Sequence, residues 1–251
     1  MNITEKIKKY ILKLAEKLGY KIIKIRISDY PSYEFILLDE LYFAPWKQDC
    51  AFLGAYHLAQ SHTLVDKFRC YELWDLVRNV RMVPGALIEI GVWRGGTGVL
   101  IAKSAELLNI NDTVYLCDTF TGVPKASEKD SIYKGGEHND TSMAIVESLV
   151  RSLNLRNVNL LSGIFPDETG GLVEKLNFRF CHIDVDVYQS AKDIVEWIWD
   201  HLSIGGIIVF DDYNNVLTNG ITTYVNEMKN AYACVMLYNL NGHAIVIKTG
   251  A

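Results

Sequence analysis

Three apolar runs in this sequence end in carboxylates. FRFCHID closes on Asp184, followed by Val185 and Asp186; GGIIVFDD closes on Asp211 and Asp212; TVYLCD closes on Asp118. In a parallel sheet, neighbouring strand ends lie on one edge, so Asp184, Asp186, Asp211 and Asp212 are expected to meet in one crevice. Four carboxylates that close repel strongly unless a cation neutralises them. An all-oxygen set with no adjacent His or Cys suits a hard divalent ion such as Mg2+. Helix capping explains a strand-end Asp more simply, but it does not account for Asp-Asp beside Asp-x-Asp.

The stretch ALIEIGVWRGGTG supplies a second chemistry. Ala86, Leu87, Ile88 and Ile90 make a short buried strand with Glu89 near its end. Gly91, Gly95, Gly96 and Gly98 follow, and then a helical apolar pattern from Val99 to Leu108. Strand, glycine-rich turn and helix let backbone approach a ligand and aim free N–H groups at it. The spacing is not G-x-G-x-x-G, which weakens a nicotinamide reading. Asp118 lies 27 residues beyond Gly91, somewhat past the roughly 20 typical of a ribose-binding acid, and a carboxylate there can accept ribose hydroxyls. His182 reads as a core residue and His138, in GGEHND, as a solvated loop residue within reach of the crevice. There is no G-x-S-x-G nucleophile context.

These groups need a scaffold. Short strands are expected over 86–92, 113–118, 157–161, 178–184 and 206–210, with helices over 64–80, 97–108, 140–153, 189–201 and 219–230 and a short one over 169–176. The alternation predicts a parallel α/β sheet with helices on both faces. Runs 232–238 and 243–248 are joined only by Asn239–Gly242 and read as a hairpin, which would give one antiparallel edge strand. Residues 3–18 read as an amphipathic helix with the stripe Ile3, Ile7, Ile11, Leu14 and Leu18, suited to packing or dimerisation. Ile23, Ile25 and Ile27 alternate as in a strand, and the aromatic stretch from Tyr30 to His57 shows no period.

With 251 residues, 49% of them hydrophobic and 22% charged, the chain suits one large domain with an extension. A net charge of −5 leaves no basic footprint for nucleic acid. Five scattered cysteines without C-x-x-C read as free thiols in a reducing, cytoplasmic setting. No apolar run reaches membrane-spanning length.

Taken together, HTLVDKFRCYELWDLVRNV, PGALIEIGVWRGGTG, YLCDTFTGVP, HIDVDVYQSAKD, LSIGGIIVFDDY and NGHAIVIK resemble the macrocin O-methyltransferase family over about residues 61–250. The resemblance implies a seven-stranded class I methyltransferase (Rossmann-like) domain over 61–251, preceded by a 1–60 extension for assembly or for covering the site. It implies S-adenosylmethionine as methyl donor, a divalent metal such as Mg2+, and a sugar or other small-molecule hydroxyl as acceptor. Glu89, Gly91, Trp93, Arg94, Gly95 and Gly96 would line the methionine and ribose side, Asp118 the ribose, and Thr119 and Phe120 the adenine edge. Thr63 and Leu64 would flank the methionyl end, Leu64 standing where relatives have Met. Asp184, Asp211 and Asp212 would hold the metal. A sulfonium methyl is already activated, so the remaining tasks are alignment and removal of the acceptor's proton; Asp184 and Asp186 are the candidate bases. Two other readings stand beside this one: a metal-dependent nucleotide-sugar glycosyltransferase, and a non-catalytic scaffold. A homo-oligomer is expected.

Overall fold

The computed structural model describes residues 3–19 and 43–250. The chain divides into two compact units, 1–41 and 42–251. Helix α1 (Ile3–Lys17) is described in the first, where Ile7, Ile11, Leu14 and Leu18 are exposed. The strand expected at Ile23–Ile27 and the aromatics from Tyr30 to Tyr42 lie outside the described residues.

The second unit is built on β1 (Ala86–Ile90), β2 (Val114–Asp118), β3 (Val158–Ser162), β4 (Phe178–Ile183), β5 (Leu202–Phe210), β6 (Cys234–Tyr238) and β7 (Ala244–Lys248). They form one seven-stranded sheet in the order β3-β2-β1-β4-β5-β7-β6. The pairs from β3 to β5 are parallel, and β7 is antiparallel to both β5 and β6. The hairpin is as expected, but its antiparallel strand is not at the edge. β7 turns back between β5 and β6, because Ala244, Ile245 and Val246 bury fully while β6 leaves Val235, Leu237 and Tyr238 half exposed.

Alternation sends successive side chains to opposite faces. Leu87 joins a core with α2 (Cys50–Ala59), α3 (Lys67–Asn79), α4 (Gly96–Leu107) and α5 (Met143–Ser152). Ile88 and Ile90 join the other, with α6 (Tyr188–His201) and α7 (Asn219–Met228). Each fully buried Leu or Ile contributes about 1.5–3 kcal/mol. Strands β1 and β4 are buried along their whole length, including the polar Glu89, Arg179 and His182.

Helix α2 escaped the sequence reading. CAFLGAYHLA has no polar face: Phe52, Ala55 and Ala59 are buried, but Leu53 and Leu58 face outward. Its start is fixed by Asp49, whose Oδ1 accepts from Phe52 N at 2.9 Å and whose Oδ2 accepts from Trp74 Nε1 at 3.2 Å. Phe52 packs edge-on against Tyr71 and Trp74, and Trp46 against Phe68. The helix expected over 169–176 shrinks to a single 3-10 turn at Gly170–Leu172, since paired glycines disfavour helix. The order of β1 and its neighbours reverses between β1 and β4, and that switch point opens the crevice.

Candidate active site

The crevice begins with the turn after β1. Gly91 has φ +87, and a Cβ there would lie 1.7 Å from the carbonyl oxygen of Asp184. Only glycine lets the ends of β1 and β4 approach this closely. Trp93 takes the left-handed conformation at φ 47, and Gly95, at φ +92, starts α4. Asp118, the last residue of β2, ties the turn together. Its Oδ2 accepts from Val92 N at 2.7 Å and Trp93 N at 2.8 Å, and its Oδ1 accepts from Phe120 N at 2.6 Å. The turn's N–H groups therefore converge on a strand-end carboxylate, which keeps acceptor capacity toward the cavity.

A cavity of about 400 Å³ lies over these strand ends. Of the residues expected at the cofactor and metal, Thr63, Leu64, Gly91, Trp93, Asp118, Thr119, Asp184, Asp186, Asp211 and Asp212 line it. Glu89, Arg94, Gly95, Gly96 and Phe120 do not. Glu89 is fully buried beneath the turn, with Oε1 on His182 Nδ1 at 2.7 Å and Oε2 without a partner. Arg94 turns outward: it stacks on Trp93 and pairs with Asp140 at 2.7 Å. A Cβ on Gly95 would meet the Val146 side chain, and one on Gly96 the backbone oxygens of Ala59 and His62. Gly96 N also donates to His62 O at 2.9 Å. That close seat of α2's C-terminus on α4 brings Thr63 and Leu64 to the cavity wall.

Asp184, Asp186 and Asp212 gather as the sequence predicts, but Asp211, expected beside Asp184 and Asp212 as a metal ligand, groups instead with His182 and His243. Carboxylate oxygens of Asp184, Asp186 and Asp212 lie within 4.8 Å of one another. Burial, reinforced by the neighbouring carboxylates, raises the Asp184 and Asp212 carboxyls well above the usual range. Asp212 Oδ2 is buried without a partner. Asp186, at φ 64, is raised by burial too, partly offset by Tyr133 and His138. Asp211 behaves oppositely. Burial would raise it, but the hydrogen bond from His243 and the Arg69 guanidinium outweigh burial and hold it below the usual range. Its Oδ2 meets Arg69 at 2.5 Å and its Oδ1 meets His243 Nε2 at 2.9 Å. Arg69 is aimed there by Asp66, which caps α3 and also pairs with Arg69 Nε at 2.8 Å. On the far side, His243 Nδ1 bonds Glu72; burial lowers the ring's pKa, but its two carboxylate partners raise it further.

Two cavity residues were misread or missed from sequence. His138 is not a plain solvated loop residue: Nε2 lies 3.2 Å from the Tyr133 hydroxyl and 3.9 Å from Asp186 Oδ2. The loop carrying both is pinned by Asp130, whose Oδ1 accepts from Tyr188 N at 2.9 Å, and by Lys125 on Asp167 and Asp193 at 2.6 Å each. Isolated loop letters carry no periodic signal, so only the fold reveals this. His182 is the core residue expected, fully buried on β4.

Strand order, the glycine turn after β1 and the acid ending β2 define a class I methyltransferase fold. Within that class, the chain belongs to the family described as Macrocin-O-methyltransferase (TylF), which it matches over residues 47–236. It is 30% identical over 169 residues to the demethyldecarbamoylnovobiocin O-methyltransferase of Streptomyces niveus, covering 62% of this chain and 63% of that protein. The chain thus spans a little under two thirds of that relative's length. It is 32% identical over 180 residues to the 8-demethyl-8-(2,3-dimethoxy-alpha-L-rhamnosyl)-tetracenomycin-C 4'-O-methyltransferase of Streptomyces olivaceus, covering 66% of this chain and 67% of that protein. The solved structure of the O-methyltransferase NovP superposes with a TM-score of 0.64 at 25% identity, over 75% of this chain and 83% of that one. Among the described residues, no helix is long and apolar enough to cross a membrane.

Proposed function

We propose that this chain transfers a methyl group from S-adenosylmethionine to a hydroxyl of a sugar or a glycosylated small molecule, with Mg2+ or a similar hard divalent cation. The observation that carries this reading is one cavity holding both the Asp118 turn and the carboxylate cluster. Named relatives that methylate sugar-bearing products support the acceptor class. The glycosyltransferase alternative loses its motive, since strand order and family are those of methyltransferases; metal-dependent turnover separates the enzyme from a non-catalytic scaffold that keeps the fold.

In this reading Asp118 accepts ribose hydroxyls, Thr119 borders the base, and Thr63 and Leu64 wall the methionyl end. Gly95, Gly96 and Glu89 act from beneath, by letting backbone and helix close up. The residues fit a divalent cation: Asp212 has an orphaned buried oxygen, and burial, with the neighbouring carboxylates adding to it, raises the carboxyls of Asp184 and Asp212. Asp184 and Asp212 would hold it, with Asp211 as third ligand once Arg69 yields Oδ2. A bound cation supplies charge neutralisation and makes a nearby hydroxyl more acidic. Asp186 is the better of the two candidate bases, because Asp184 is committed to the cation. Asp186 takes the acceptor's proton, and His138 and Tyr133 beside it orient the carboxylate.

The α1 stripe further supports an assembly role for the N-terminal extension and a homo-oligomer. The test of the main reading is methyl transfer from labelled donor to a panel of nucleotide sugars and glycosides, with and without chelator. Turnover of at least one sugar hydroxyl, lost in chelator, is expected; donor binding without transfer to any member would count against the acceptor class.

A further inference from the structure

Behind the acid cluster lies a set of ionisable side chains that this chemistry does not use. His243, just ahead of β7, is fully buried between two carboxylates. Its Nδ1 bonds Glu72 Oε2, and its Nε2 lies 2.9 Å from Asp211 Oδ1. Glu72, on α3, is fixed in turn by the side-chain amides of Asn239 and, at 2.9 Å, Asn241 from the β6–β7 turn. Neither His243 nor Glu72 lines the cavity, whereas Arg69 does. Asp211 is therefore held from behind by His243 and met from the cavity side by Arg69.

His182, Asp211 and His243 also present one ligand atom each within 4.8 Å of one another. They do not call for a metal of their own. Both nitrogens of His243 are engaged, and Arg69 already compensates Asp211. The arrangement is that of a partner orienting a ligand: a carboxylate has several rotamers, and a buried donor on its rear oxygen selects one.

We propose that His243, anchored by Glu72, is a positioning residue that fixes the Asp211 carboxylate for a divalent cation in the cavity. This rests on the cation reading above. The test is calorimetric titration of the full chain with Mn2+ as probe, beside titration with S-adenosylhomocysteine. His243→Leu should weaken Mn2+ binding by about 10–100-fold, the usual cost of losing such a partner. S-adenosylhomocysteine affinity should stay unchanged. His243→Gln, whose Nε2 can still donate to Asp211, should recover much of the loss. Native Mn2+ affinity in His243→Leu, or equal losses in both variants, would overturn the proposal. Should His243→Leu fail to bind S-adenosylhomocysteine and so prove misfolded, Glu72→Ala decides: several-fold weaker Mn2+ binding supports the role, and native affinity overturns it. Absence of Mn2+ binding by the unaltered chain would instead overturn the cation reading itself.

Discussion

Asp184 and Asp212 have the least in the protein to hold them, and Asp211 the most. That asymmetry has a sign in pH. A carboxyl whose folded pKa is raised binds its proton more tightly folded than unfolded, so stability is lost as pH rises from about 4 through the raised value. Asp184, Asp186 and Asp212 act this way. His243, raised from its ordinary value of about 6.5, adds a loss of the same sign as pH climbs through its folded pKa. Asp211 and Glu72 are lowered and oppose this only at the acid end, where stability falls as pH drops through their values. In chelator, the melting temperature should therefore fall as pH rises above about 4, and Mg2+ should restore most at the upper end. A flat profile with no Mg2+ effect would contradict the repulsion argument. Arg69 supplies a second prediction at this scale. Arg69→Met removes a competing cation, so Mn2+ affinity should rise by roughly an order of magnitude, a modest part of the about 4 kcal/mol between unit charges 4 Å apart at intermediate screening. Calorimetry checks it; weaker binding would mean that Arg69 serves the site and does not compete for it.

At the scale of elements, the glycines mark where strands and helices must close up. Gly91→Ala would place a methyl group against the backbone of Asp184, at a φ that L-residues avoid. It should cost more than the about 1–3 kcal/mol of ordinary overpacking and abolish Mn2+ binding by displacing Asp184. Gly54→Ala, in the exposed helical part of α2 with open space around it, should instead stabilise by about 0.5–1 kcal/mol. Denaturant melts of the two variants check both. Much of this architecture was legible in the sequence. Buried parallel strands must be short apolar runs, and a sheet of this kind gathers its functional groups at strand ends, so Asp118, Asp184, Asp211 and Asp212 could be found. The partners of Asp211 could not. Arg69 lies 142 residues away and His243 lies 32, and nothing local signals either. Helix α2 hid behind outward-facing leucines. The place of β7 inside the sheet depended on comparing the burial of two apolar strands, which periodicity alone does not rank.

At the scale of the whole molecule, the 42–251 unit contains every element of the site described here. The exposed stripe of α1 is the feature that the catalytic account leaves unused. If the extension serves assembly or covers the site, deleting residues 1–19 should lower the mass seen by light scattering or change turnover; a deletion that does neither would make the helix dispensable. In the proposed function, one cavity unites a methyl donor at Asp118 with a cation at the acids. The most direct measurement is labelled methyl transfer to a sugar hydroxyl by the native chain and by Asp184→Asn, each with Mg2+ and in chelator, with donor binding followed in parallel. Turnover is expected only for the native chain with Mg2+, and donor binding within a few-fold of native throughout. Full turnover in chelator, or full turnover by Asp184→Asn, would contradict it.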